Sequence, residues 1–327
     1  MNKELYKPNL KSEYIVPTSK SVLHRLLILQ AFSKKKVKVT YNEPVGEDIK
    51  ATIECLKVLK DKDAVKPVLD CRDSGSTYRF LLGVTKKLGI DCELTGTKKL
   101  LERVNSGAPT SQFLTGEILG AYLAGEDYEK IEIPENQVSK SYIELTKDII
   151  KKFDNEEAIH AEGDWSLGAI WLVAGAIANK DVEVTNLKSD SIQGDKRILE
   201  YIKLFKETEN RVVDGSLNPD LVPILAVLAA NSEGITRIEN IEHLRHKESD
   251  RIESPKELIN NLGGEALSGK DYLEIHGKKL TGGIINANND HRIAMAAAIA
   301  AFKIDAPVTI IGAEAVNKSY PNFWEEF

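Results

Sequence analysis

Lys20, Ser21 and Arg25 open the apolar part of a run at 14–32, YIVPTSKSVLHRLLILQAF, directly after a small polar turn. A helix start exposes unpaired N–H groups and a partial positive charge, so cations there serve helix stability poorly and an anion well. Comparable groups recur along the chain: Asp73, Ser76 and Arg79; Thr110, Ser111 and Gln112; Asp220; Asp290, His291 and Arg292. The densest cluster is RHKESDR at 245–251, where Lys247 and Arg251 are four apart and share a helix face while Glu248 is turned away. Arginine grips a carboxylate or phosphate with two parallel hydrogen bonds, and Glu248 or Asp220, shifted by such neighbours, could move a proton. Each group alone is equally a capped or salt-bridged helix start. If the helix starts converge on one cleft, the set points to a polyanionic ligand.

The elements that would position them form a repeated unit. A small polar turn followed by an apolar helix occurs at 14–32, 73–89, 110–125, 163–179, 218–234 and 289–305, six times in all. Each helix is followed by a short alternating run that reads as a strand: KVKVT, CELTG, KIEI, VEVTN, TRIEN and PVTII. More polar helices follow, as in EDIKATIECLKVL, SKSYIELTKDIIKKF, GDKRILEYIKLF and SDRIESPKELINNLG. A preceding strand is clear at YIVP, VLDCR, AIHAE and GIINA and weak before Thr110. The period is β-α-β-α, which predicts an α/β protein.

The 327 residues suggest two domains, and the net charge of −6 leaves no basic footprint for nucleic acid. No targeting pattern opens the chain, and the longest apolar stretches, around Trp171 and Ala296, are shorter than a bilayer span. A cytoplasmic protein without a membrane partner is expected. Cys55, Cys71 and Cys92 are odd in number with no CxxC spacing, so free thiols are expected and a metal is not. Gly264 to Lys270 has the spacing of a phosphate loop, but Asp271 stands where Ser or Thr should be and no helix is expected after it.

PTSKSVLHR resembles the Lys-Ser-x-x-x-Arg signature of the EPSP synthase family, the 3-phosphoshikimate 1-carboxyvinyltransferases. In register with it are DSGSTYR, Ser111-Gln112-Phe113, Ser139-Lys140-Ser141-Tyr142, SIQGD, PDLVP, RHKESDR, NDHRIAM and Lys318-Ser319-Tyr320-Pro321, which span almost the whole chain. The resemblance implies transfer of the enolpyruvyl group of phosphoenolpyruvate to the 5-hydroxyl of shikimate 3-phosphate, with no cofactor and no metal. It implies that Thr110, Ser111 and Ser139 hold the shikimate phosphate, that Arg25 meets its carboxylate, and that Lys20, Ser21, Lys247 and Tyr142 line its ring. Phosphoenolpyruvate would meet Arg251 and Arg292 through its carboxylate and Arg103, Gln112 and Lys318 through its phosphate, beside Lys20, Gly75, Ser76 and His291. Asp220 would take the hydroxyl proton, and Lys20 and Glu248 would handle the others. The implied fold is a two-lobed, inside-out α/β barrel of six β-α-β-α-β-β repeats, with one lobe at 19–162 and the other at 1–18 plus 163–327, in a monomer acting on small molecules.

The chain is much shorter than is usual for this family, and the losses are internal. The largest lies between Arg103 and Thr110, and smaller ones follow Leu59, Phe153 and Phe205, where closing hairpins are expected. Asp73 replaces the family's Asn, Ser76 replaces Thr, and His243 stands where Asn is common. Two other readings differ in class or substrate. A trimmed fold could bind anions without catalysis, but such a protein has no need of Asp220, Lys20 and Glu248 together. A UDP-N-acetylglucosamine enolpyruvyltransferase would use Lys-Asn in place of Lys20-Ser21, and a loop cysteine.

Overall fold

A computed structural model describes residues 1–61 and 65–327. The chain divides into a continuous unit, Pro17–Asp164, and a discontinuous unit, Met1–Val16 with Trp165–Phe327. Each has its own apolar core.

The continuous unit holds α1 (Lys20–Phe32), α2 (Glu47–Lys60), α3 (Gly75–Leu88), α4 (Lys98–Asn105), α5 (Ser111–Ala124) and α6 (Lys140–Asn155). The discontinuous unit holds α7 (Trp165–Ala178), α8 (Ile198–Glu207), α9 (Val222–Ala230), α10 (Glu253–Asn261) and α11 (His291–Ala300). All six expected apolar helices form. α7, α9 and α11 are apolar on nearly every side and are buried accordingly, Trp171 among their fully enclosed side chains. The starts of α1, α3, α5 and α11 are capped, the side chains of Ser19, Ser74, Thr110 and Asp290 accepting N–H bonds from their first turns, whereas α9 follows Leu221 with no side-chain cap bond.

The strands are short. β1 (Asn2–Leu5), β2 (Glu13–Tyr14) and β7 (Glu183–Val184) belong to the discontinuous unit, as do β8 (Arg211–Asp214), β9 (Ile235–Glu239), β10 (Glu265–Ser268), β11 (Leu273–His276), β12 (Gly283–Asn286) and β13 (Val308–Ile311). β3 (Lys38–Thr40), β4 (Val68–Asp70), β5 (Glu93–Thr95) and β6 (Ala158–His160) belong to the continuous unit. The pairs β2–β7, β3–β6 and β4–β5 are parallel. The larger sheets have the orders β1-β13-β12 and β10-β11-β9-β8. Register sets buried residues opposite one another, as in Ile285↔Ile310 and Val213↔Ile238, and the half-buried Val39 opposite Ile159.

One expected strand is absent and another is cut short, since only Tyr14 of the expected YIVP strand lies in β2. KIEI is not a strand: a 3-10 turn covers Tyr128–Lys130, and Ile131 to Ile133 pair with nothing in the described sheets. Pro134 follows directly, Ile133 stays exposed, and alternation alone cannot make a strand without a partner. Elsewhere, between α3 and α5, stands α4, a helix outside the expected pattern. The phosphate-loop look-alike is the strand β10 leading into a turn, and Cys55, Cys71 and Cys92 are free thiols. Among the described residues no helix is long and apolar enough to cross a membrane, and no group of three or more His, Cys, Asp or Glu is placed to hold a metal.

Candidate functional site

In the continuous unit, the expected residues gather at helix starts. α3 and α5 run side by side in the same direction, so closely that a Cβ added at Gly116 would stand 2.5 Å from the Arg79 carbonyl oxygen, and one at Gly83 only 2.3 Å from the Gly116 backbone. That fit brings their first turns into register. The Arg79 guanidinium donates to Gln112 Oε1 at 2.7 Å, and Gln112 Nε2 donates to Ser76 Oγ at 3.0 Å. A Cβ at Gly75 would lie 2.7 Å from Arg79 Nη1, so a side chain there would push the guanidinium aside. Arg103 reaches the same place from α4, donating to the Asp73 carbonyl at 2.9 Å and lying 3.4 Å from its carboxylate. Asp73 is thereby the counter-ion of Arg103.

Arg25 is enclosed among α1, α5 and α6. It donates to the hydroxyls of Thr146 (2.8 Å) and Thr115 (3.3 Å) and to the carbonyls of Ser21 (2.5 Å) and Tyr142 (3.0 Å). Among the described residues no carboxylate pairs with it, and burial pushes its guanidinium down to about 9. A buried cation without a counter-ion is the partner an anionic ligand would complete. Thr110 caps α5 ahead of Ser111, and Ser139 caps α6 in the left-handed region, with φ 57°, unusual for a residue with a side chain. Lys20 Nζ lies 2.9 Å from Asp48 Oδ2, and its backbone N–H donates to Asp164 Oδ2 at 3.0 Å.

In the discontinuous unit the centre is Arg251, 1% exposed, just before α10. Its guanidinium meets three carboxylates: Asp220 at 2.8 Å, Glu248 at 2.6 Å and Asp290 at 2.8 Å. Burial works against its charge, but Asp290, Glu248 and Asp220 outweigh that and raise it well above the usual arginine value. Arg292 donates to the other Asp220 oxygen at 2.8 Å, so Asp220 stands between two guanidiniums. Lys318 Nζ is 4.0 Å from Glu248 Oε1. His291 is buried beside Asp290 at the start of α11. Lys247 follows the 3-10 turn that carries His243, whose imidazole burial and the Lys247 charge push down to about 4. The SIQGD segment, Ser191 to Asp195, supports the start of α7: Gln193 accepts from the Trp165 N–H at 3.2 Å, and Asp195 accepts from the Ser166 hydroxyl.

The structure therefore brings Lys20, Ser21 and Arg25 to one helix start, and Gly75, Ser76, Gln112 and Arg103 to a second locus in the same unit. Asp220, Glu248, Arg251, Arg292 and Lys318 form one charged cluster in the other unit. Three further carboxylates received no role from sequence: Asp48, Asp164 and Asp290, all at most 5% exposed. A motif shows which residues are cations but not which distant carboxylate faces them; only Asp290, beside His291, carried a local signal. The cavity of about 630 Å³ lined by Lys7, Lys278, Lys303 and Phe302 contains none of the expected residues.

A family model for EPSP synthase (3-phosphoshikimate 1-carboxyvinyltransferase) matches residues 6–103 and 154–327. The chain is 36% identical to the 3-phosphoshikimate 1-carboxyvinyltransferase of Clostridium kluyveri over 405 positions, covering 97% of this chain and 94% of that one. It is 33% identical to the Clostridium novyi protein of the same name over 423 positions, covering 100% of this chain and 96% of the relative. Both alignments exceed the 327 residues here, so these relatives carry internal segments that this chain lacks. The fold is similar to that of EPSP synthase from Acinetobacter baumannii, with a TM-score of 0.72 at 20% identity, covering 99% of this chain and 97% of that one.

Proposed function

This chain belongs to the EPSP synthase family, and on that premise we propose that it transfers the enolpyruvyl group of phosphoenolpyruvate to the 5-hydroxyl of shikimate 3-phosphate, releasing phosphate. The observation that carries the reading is Asp220, a carboxylate held 2.8 Å from both Arg251 and Arg292. Two fixed cations hold this base in one orientation, and the same cations are suited to the carboxylate of phosphoenolpyruvate.

In the first step the 5-hydroxyl oxygen bonds to C2 of phosphoenolpyruvate, Asp220 takes the hydroxyl proton, and Lys20 or Glu248 gives a proton to the methylene carbon. The product is a tetrahedral adduct. In the second step the methyl group returns a proton to Lys20 or Glu248, the C–H electron pair re-forms the carbon–carbon double bond, and the C–O bond to phosphate breaks so that phosphate leaves. Arg25 meets the shikimate carboxylate, Ser111, Ser139 and Thr110 hold its phosphate, and Ser21, Tyr142 and Lys247 line its ring. Arg103, Gln112 and Lys318 take the phosphoenolpyruvate phosphate, with Gly75, Ser76 and His291 beside it. The fold that supports this is an inside-out α/β barrel of repeated β-α-β-α-β-β units in two lobes, 19–162 and 1–18 with 163–327, trimmed of several closing hairpins. Loss of peripheral hairpins with retention of every charged motif favours a working catalyst.

The test is phosphate release from the purified protein. Release is expected only when both substrates are present, and Asp220→Ala is expected to lower it by about 100-fold or more. No release, with shikimate 3-phosphate still bound in calorimetry, would mean an anion-binding protein instead.

A further inference from the structure

Lys20 occupies the first position of α1, where the helix field opposes a positive charge, and Arg25 lies one turn further on. What holds the ammonium there is Asp48, 4% exposed, whose Oδ2 is 2.9 Å from Nζ. Asp48 sits in the first turn of α2, where the helix field favours a carboxylate. The two helix starts thus carry opposite charges facing one another.

Asp48 is itself fixed from behind. Its carbonyl oxygen lies 3.2 Å from Thr77 Oγ1, which is 2.7 Å from Ser74 Oγ, the cap of α3, and 2.7 Å from Thr52 Oγ1. Thr52 Oγ1 in turn is 2.8 Å from His24 Nδ1 on α1. Ser74, Thr77, Thr52 and His24 are all fully enclosed, and this chain of polar groups ties the starts of α1, α2 and α3 together. None of its members carries a net charge that could compete for Lys20, and burial keeps the His24 imidazole well below its usual range, hence neutral.

We propose that Asp48 is the positioning residue for Lys20: through one ion pair it sets where the ammonium stands during enolpyruvyl transfer. This rests on the transfer reading above, but the ion pair can be tested apart from it. In the unliganded protein, acylation of Lys20 by an amine-reactive ester at fixed pH, followed by peptide mass spectrometry, reads how firmly Nζ is held. Asp48→Asn, which keeps the shape and removes the charge, is expected to speed that labelling about tenfold, and Asp48→Glu to restore part of the protection. In turnover, Asp48→Asn is expected to lower kcat about tenfold or more while the KM for shikimate 3-phosphate stays within about twofold, since Arg25, Ser111 and Ser139 are unchanged. Unchanged labelling in Asp48→Asn, or a rise in KM with kcat preserved, overturns the proposal. If the unaltered chain releases no phosphate, the transfer reading fails, and the labelling arm alone decides whether Asp48 holds Lys20.

Discussion

His243 shows what a single side chain contributes beyond its motif. Its imidazole is 6% exposed, its Nε2 has no hydrogen-bond partner among the described residues, and burial with the nearby Lys247 charge lowers it to about 4 from 6.5. Between those two values the unfolded chain binds a proton that the folded chain refuses. Stability from this group is therefore complete above about pH 6.5 and is lost as pH falls toward 4, a change of about 3 kcal/mol. His24 shifts in the same direction, so it adds to the same acid limb. Replacing His243 by Asn is expected to flatten part of that limb, read as a smaller fall in the urea midpoint between pH 7 and pH 4.5. An unchanged slope would mean that His243 does not resist protonation in the folded state. Arg251 carries the complementary lesson, since removing it would strand the fully buried Asp290 carboxylate and cost about 3–5 kcal/mol, measurable by urea unfolding of Arg251→Met.

At the scale of elements, the decisive contact is α3 against α5. Gly83, Gly116 and Gly120 let the two backbones touch, and only that approach lets Gln112 reach both Ser76 and Arg79. A Cβ at position 116 would meet the Arg79 and Phe80 carbonyl oxygens at 2.5 and 3.0 Å, and backbone cannot rotate away as a side chain can. Gly116→Ala is expected to destabilise the protein by about 1–3 kcal/mol and to weaken phosphoenolpyruvate binding, seen together as a lower melting temperature and a higher KM for that substrate. An alanine tolerated on both counts would show that the helices have slack. The sequence displayed the small residues and the helix starts plainly, because capping and periodicity are local. It did not display the parallel contact, because two helices separated by α4 can pack in several ways. α4 is hard to read for a different reason: Leu100, Leu101 and Val104 do share a face behind the Thr97 cap, but eight residues span barely two turns, too short a window for the period to stand out.

For the molecule as a whole, two cores in 327 residues mean that each unit buries its own apolar side chains. The continuous unit is closed at its base: Ser19 N–H donates to the Glu162 carbonyl at 2.8 Å and Asp164 N–H to that of Pro17 at 3.1 Å. Its ends therefore lie together, and the fragment Pro17–Asp164 expressed alone is expected to melt in one cooperative transition by circular dichroism. A gradual, featureless loss of signal would show that its core is insufficient by itself.

By itself the sequence determined the alternation of strand and helix, the six apolar helices, and the cations and hydroxyls that stand at their starts, because all of these follow from residue type and spacing within a turn or two. It also carried the family, through ordered motifs from Lys20-Ser21 to Lys318. Tertiary structure alone decided which carboxylate faces which cation: Asp48 with Lys20, Asp73 with Arg103, and Asp220, Glu248 and Asp290 with Arg251. Such pairs join residues up to 39 positions apart, and charge attraction has no sequence period, so only the packing of helices that brings them within a few ångströms selects the partners.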